Sequence, residues 1–549
     1  MDFLRRLGGD QAHRTGLVAV VFLIAIVAGG ALVHRGARGG PPTAYEAARL
    51  YENVKAHIAR EYVDAIGEDS LYRMSVDGLL YELGDPYTRF LPSERLARLS
   101  ETTSGNYVGV GLQVDIRDGW IIVIAPLPGS PAERAGLQTG DRILEINGRS
   151  TFNWSSEEAS RALRGPVGSP VTVIVDRVNF EQPLTLRFTR DRVHQNAVRR
   201  SAMVAPAVGY IDLKVFTDST ADEVERAVRS LSGDGMKTLI LDLRVNPGGL
   251  LDQGVRVADL FLNRGDPIVR IRGRTPDANR DFVDSVAQSW PNLPLVVLVD
   301  GRSASAAEIV AGALQDHDRA AIIGRPTYGK GSAQAVFPMG AEGAEGAGVG
   351  AVKLTTAKWY TPLGRSIAQP SARNTPDQGE RDTKRARFRS RSGRTILGGG
   401  GIVPDALAGD TVEAPEAAAL MHELGPDVRR FRDAITDHAL AVKRAGTTIA
   451  AGFAITPAML DDLWTRMRQR AIDVPRVVYD DAAPYVSRIL AYEVARYVLG
   501  PDAEFQRRAA DDPVIAAALR TISGARDARD LVQRAESMGA AEEKKALQE

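Results

Sequence analysis
LVVLVDGRSASAAEI, residues 295–309, decides the fold class. Five consecutive apolar residues, Leu295 to Val299, read as a strand buried on both faces. The polar stretch after them leads directly into a helix whose apolar positions include Ile309, Val310, Ala313 and Leu314. The same alternation surrounds it. A strand at Val208–Leu213, a helix at Ala221–Ser232, a strand at Thr238–Leu243 and a helix after Gly249 precede it, and strands at Ala321–Ile323 and Ala351–Thr355 follow. Such alternation predicts an α/β domain with crossover connections. Ser305 then sits at a helix N-terminus, where free backbone N–H groups and a partial positive field suit an oxyanion. Ser305-x-x-Glu308 equally matches a capping box, in which the serine only satisfies helix amides.

Outward from this core the pattern changes on both sides. Tyr107 to Arg190 is a run of short β segments, at 108–114, 120–124, 142–146, 171–178 and 184–188, with one short helix at Pro131–Ala135, and predicts a compact β-domain. Before it, Tyr45–Tyr62 and Ser75–Leu83 have helical periodicity, the second ending at the breaker cluster Gly84-Asp85-Pro86. After Gly401-Ile-Val-Pro-Asp405 helical signals dominate, at 428–442, 457–470, 482–499 and 513–522, predicting a separate helical domain. Gly340–Gly350 and Ser371–Ser392 read as loops. Gly16 to Val33 is apolar or small throughout and follows Arg5, Arg6 and Arg14. Its length just suffices for a bilayer, and it lacks a convincing cleavage site, so the expectation is an uncleaved signal anchor with the remainder outside the cytoplasm, a cleaved signal peptide being the alternative that also fits.

Composition removes several function classes. The 69 basic residues balance 69 acidic ones, so no net field attracts nucleic acid. The absence of cysteine excludes a thiol nucleophile, thiolate metal sites and a disulfide framework. No His-Glu-x-x-His metalloprotease motif occurs, and none of the seven histidines suits a His-Asp-Ser triad; His57 and His317 read as a helix-face and a helix-end residue. No cofactor is expected.

A serine nucleophile needs a base, and Gly324-Arg-Pro-Thr-Tyr-Gly-Lys-Gly-Ser-Ala-Gln334 offers one. Lys330 lies between two glycines that permit close backbone approach, and burial can bring a lysine into the range that general-base work prefers. Gln334, four residues on, carries an amide able to orient the amine. An oxyanion hole would use the amide of Ala306 and, from the turn Asp242-Leu-Arg-Val-Asn-Pro-Gly-Gly249, the amide of Gly249.

The strings DLRVNPGG, GRSASAAEI, GRPTYGKGSAQ, KLTTAKWYTPLGRSI and GIVPD, in this order over residues 208–405, resemble the carboxyl-terminal processing (tail-specific) peptidases of the S41 serine peptidase family. The resemblance implies an α/β protease core of ClpP/crotonase type, with Ser305 as nucleophile, Lys330 as base, Gln334 as its orienter, and Gly249 and Ala306 as oxyanion donors. GVGLQV at 109–114 and GSPAERAGLQTGDRILEINGRS at 129–150 resemble a PDZ domain, implying capture of substrate C-termini by a loop at Val110, Gly111 and Leu112. Arg302, where glycine is frequent, the 340–350 loop and an insertion at 371–400 depart from the family pattern and bear on access.

The expected architecture is therefore multidomain α+β. It comprises an anchor and linker (1–40), a helical segment (41–106), a PDZ-like domain (107–190), the protease core (191–410) and a helical domain (411–549). The expected partners are proteins with accessible C-terminal tails, the membrane, and an adaptor or further copies of the chain. The rival reading is a non-catalytic PDZ scaffold for envelope proteins.

Overall fold
The computed structural model describes residues 43–339, 350–369, 385–409, 414–446 and 448–546. The apolar segment 16–33, the loop residues 340–349 and the first part of the insertion, 371–384, lie outside them. Met1–Phe90 and Leu91–Glu549 are two compact units. Within the first, helix Ala44–Glu61 starts at a reciprocal capping box between Thr43 and Glu46. The second helix, Glu68–Glu82, begins seven residues before the predicted Ser75, after Gly67 and with Glu68 and Asp69 in its first turn.

The larger unit is organised by a six-stranded sheet. Its strands lie side by side in chain order: β1 (Val198–Ala205), β2 (Val208–Leu213), β3 (Thr238–Asp242), β4 (Leu295–Val299), β5 (Ala321–Gly324) and β6 (Ala406–Leu407). β1 pairs antiparallel with β2, and every later pair is parallel. Helices α1 (Thr220–Gly233), α2 (Leu251–Asp259) and α3 (Ala306–Asp316) make the crossovers. Alternation along each strand feeds two cores. Leu239, Leu241, Leu295, Val297 and Val299 pack with the helices α1 to α3 on one face. Ile240, Val296 and Leu298 point to the other, together with Val208, Tyr210 and Ile323.

That second face corrects the expectation of a separate helical domain. It is covered by C-terminal helices, α4 (Pro513–Ile522) and Ala528–Ala546, whose Val514, Ile515, Ala518, Leu531 and Val532 complete the same core. A parallel sheet buried on both faces needs helices on both, and the chain supplies the second layer from its far end. The remaining C-terminal helices form a further core that includes Ile122 of the β-domain. Arg470 also bridges Asp118 of that domain and Asp437. The predicted 482–499 helix is divided into Ala483–Val494 and a π-turn, Ala495–Leu499, stopped by Gly500-Pro501.

The β-domain is an antiparallel sheet in the order Leu112–Arg117, Trp120–Pro126, Arg142–Ile146, Pro170–Asp176, Leu184–Thr189. The expected single strand 108–114 is broken at Val110-Gly111, because Asn106–Gly109 pairs with Asp191–His194 while Leu112 onward joins the sheet. A second helix, Ser156–Leu163, was not predicted, although Ser155 and Glu158 form a capping box visible in the sequence.

Candidate active site
Ser305 is the residue before α3 and holds φ 56°, ψ −115°. A side chain at positive φ is costly outside glycine and persists only where the surroundings impose it, as at strand-to-helix turns that present a nucleophile. Here the surroundings are visible. The Ser305 N–H donates to the Glu308 carboxylate at 2.8 Å, which is the local half of the predicted capping box.

Glu308 does far more than cap. It is fully buried, and the oxygen that accepts from Ser305 also accepts the Lys330 N–H at 2.9 Å. Its other oxygen accepts from the Gly329 N–H at 2.7 Å and the Thr327 hydroxyl at 2.6 Å. One carboxylate therefore ties the serine turn to the lysine loop, 25 residues apart in sequence. Burial pushes the Glu308 carboxyl up, and the bonds from Thr327, Lys330, Gly329 and Ser305 oppose that shift. The sequence reading found Glu308 only as a capping partner. Its reach to residues 327–330 has no local signal.

The lysine loop is fixed from other sides as well. Tyr328 N–H bonds the Ser303 carbonyl at 3.0 Å, and Trp359 Nε1 donates to the Lys330 carbonyl at 2.9 Å. The glycines flanking Lys330 are needed for close approach, as predicted. A Cβ at Gly329 would lie 3.0 Å from the Gly401 nitrogen, and one at Gly331 3.0 Å from the Ala368 nitrogen. Lys330 is half-buried. Gln334 follows on strand Ser332–Met339 and donates to the hydroxyls of Ser332 (2.9 Å) and Thr355 (3.4 Å).

The glycine turn after β3 comes against the same serine. Gly248, rather than Gly249, makes the closest approach: a Cβ there would sit 2.7 Å from Ser305 Cβ and 2.9 Å from the Ala306 nitrogen. Its N–H is committed to Asn246 Oδ1 at 2.8 Å. Gly249 is bridged to Phe216, with Phe216 N–H bonding the Gly248 carbonyl and Leu250 N–H bonding the Phe216 carbonyl. In that pattern the N–H of Gly249 points away from Phe216, and the residue is exposed. Ala306 opens α3 and is buried. Arg302 is exposed, and its N–H donates to Asp300 at 2.9 Å. His317 ends α3 and bonds the Pro267 carbonyl, a structural role. The described part of the insertion forms a hairpin, Arg387–Arg389 with Thr395–Leu397, tied by Arg394 to Asp318 and Asp405 beyond the C-terminal end of α3.

In the β-domain, Val110 and Gly111 are buried and Leu112 half-buried. Gly111 has φ 75°, and a Cβ there would fall 2.2 Å from Ser130 Cβ, so only glycine fits. Its carbonyl accepts from Leu127 N–H (2.9 Å) and Ser130 Oγ (3.1 Å). These residues open on a groove of about 530 Å³ that Leu163 and Arg164 line on one side and Arg199 and Lys214 of the α/β core on another. Arg164 pairs there with Glu101, and Arg199 and Lys214 share Asp212, while Val110, Leu112, Leu127 and Leu163 give the groove an apolar lining that suits an extended peptide.

Two family profiles match the chain. The profile of Peptidase family S41 matches residues 207–379, and that of the PDZ domain residues 122–177. The chain is 36% identical over 327 residues to a carboxy-terminal-processing protease of Bartonella bacilliformis, covering 59% of this chain and 73% of that protein. It is 33% identical over 319 residues to a probable CtpA-like serine protease of Staphylococcus aureus, covering 58% of this chain and 62% of that one. Among solved structures, a photosystem II D1 C-terminal processing protease is 31% identical, over 58% of this chain and 90% of that one, with a TM-score of 0.33.

Proposed function
The chain belongs to peptidase family S41 and is a serine-type peptidase with a PDZ domain, and from that premise we propose that Ser305 and Lys330 form its catalytic dyad. The observation that carries the proposal is the shared Glu308 oxygen, which brings the backbones of both residues to one point. In this reading the neutral Lys330 amine takes the Ser305 proton as Oγ attacks the scissile carbonyl, with Gln334 orienting the amine. The oxyanion of the tetrahedral intermediate is met by the amides of Gly249 and Ala306, the second reinforced by the α3 N-terminus. Collapse passes the proton to the leaving amine and leaves an ester on Ser305. Water, deprotonated by Lys330, then hydrolyses the ester and restores the serine.

Substrate choice in this reading belongs to the groove at Val110, Gly111 and Leu112, where a protein's C-terminal tail adds as an extended strand. The apolar run 16–33 would hold the enzyme in the membrane by a single span, with the catalytic part outside the cytoplasm. Among the described residues no helix is long and apolar enough to cross a membrane. Removal of residues 1–40 should release the protein from membranes otherwise extracted only by detergent.

The central test compares wild type with Ser305→Ala on a protein carrying an accessible C-terminal tail. The variant should lose cleavage while binding a tail peptide with unchanged affinity. Equal cleavage by both forms would sink the dyad.

A further inference from the structure
We propose that the C-terminal helices position the glycine turn beside Ser305, through an ion pair from Asp512 to Arg244. The proposal rests on the Ser305 reading above and makes Asp512 a positioning residue acting through Arg244. Arg244 leaves the end of β3 and folds back on Asp242, which is 1% exposed. Asp242 accepts from the Arg244 backbone N–H at 2.8 Å, from Nε at 3.0 Å and from Nη2 at 2.6 Å, and from the Tyr210 hydroxyl at 2.6 Å. The remaining Nη1 donates to Asp512, 3.0 Å from one carboxylate oxygen and 2.8 Å from the other.

Asp512 is itself rigidly held. It caps α4, accepting the N–H groups of Val514 (2.8 Å) and Ile515 (3.1 Å). α4 is anchored by Val514, Ile515, Ala517 and Ala518 in the core under β2 to β5. The backbone after Arg244 is stitched into the catalytic loops. Lys214 Nζ donates to the Arg244 carbonyl at 3.0 Å, and Val245, at φ 60°, bonds Asp300 at 3.0 Å. The Asn246 carbonyl accepts from Ala304 N–H at 2.9 Å, one residue before Ser305. A guanidinium held between two carboxylates cannot tilt, so residues 244–249 keep their register against residues 304–306. Asp512 lies well beyond residues 207–379, so the matched catalytic region does not contain this support.

The test uses the full chain with Asp512→Asn, because asparagine caps a helix as well as aspartate while removing the charge. Single-turnover cleavage of a tail-bearing peptide by saturating enzyme should slow about ten-fold. Tail-peptide Kd should stay within about two-fold and Tm within a few degrees. Asp512→Ser, a second capping residue, should behave alike and replaces the asparagine variant if that one does not fold. An unchanged single-turnover rate in a folded variant overturns the proposal, as does a loss matched by weaker tail binding. Failure of both variants to fold also overturns it, since Asp512 would then serve the fold alone. If Ser305→Ala cleaved as well as wild type, the dyad reading would fail instead, whatever Asp512 does.

Discussion
Four donors converge on the two oxygens of Glu308, from Ser305, Lys330, Gly329 and Thr327, in a position with no exposed surface. An amide there would turn one acceptor into a donor facing N–H or O–H groups, leaving buried donors unpaired. Glu308→Gln should therefore cost about 2–3 kcal/mol of stability. It should also lower kcat at least about 100-fold by letting the serine turn and the lysine loop separate. Denaturant titration alongside single-turnover kinetics checks both, and near-normal turnover would contradict the tie. The half of this site that lies within four residues was legible, because Ser305-x-x-Glu308 is a local spacing. The half that joins Glu308 to residue 330 depends on how β5 returns beside β4, which no local pattern encodes.

At the scale of elements, the turn after β3 is set by backbone space. A Cβ on Gly249 would fall 2.1 Å from the Phe216 carbonyl oxygen at a φ of 151°, so Gly249→Ala must displace the turn. We expect a loss of about 100-fold or more in kcat with tail-peptide affinity unchanged, read by comparing cleavage with binding. The sequence pointed to this turn through its two glycines. Which of them abuts Ser305 was decided by the Phe216 bridge. A different element carries a pH signature. Asp284, just after strand Arg280–Val283, is 2% exposed, and burial, aided by the neighbouring Asp259 carboxylate, pushes it up to about 6. The native state then retains a proton that the unfolded chain has shed. That contribution is fully present below the ordinary carboxylate value near ~4 and is lost as pH rises through about 6. Tm should fall between about pH 4 and about pH 6 and level off above, and Asp284→Asn should flatten that slope; an equal slope in both proteins would contradict the assignment.

For the whole molecule, the consequence of the double-faced sheet is that the C-terminal helices are structural partners of the protease core. Val208, Tyr210, Ile240, Val296, Leu298 and Ile323 would be bared by their removal. A chain ending at residue 410 should be insoluble, or expanded and dye-binding, as judged by size-exclusion chromatography and ANS fluorescence. A well-folded, monodisperse fragment would show instead that the matched S41 region is self-sufficient. Residues 457–470 and 513–522 were recognisable as helices from their periodicity, but a periodic stripe does not say which surface it meets. Residues 457–470 pack in a core made mainly by the C-terminal helices, whereas 513–522 joins the core of the sheet.

The amino-acid sequence by itself determined the alternation of strand and helix, the PDZ-like β segment and the family, and it singled out Ser305, Lys330, Gln334 and the glycine turn as the candidates on which the proposed dyad rests. Each is carried by a local pattern: apolar periodicity, turn residues, or a motif of fixed spacing. Only the tertiary structure decided that Glu308 joins the serine and lysine loops, that Gly248 is the glycine pressed on Ser305, and that Asp512 reaches Arg244. Those contacts join residues up to 268 positions apart. The first two exist because adjacent parallel strands place the loops at their ends side by side, and the third because the C-terminal helices cover the sheet's second face.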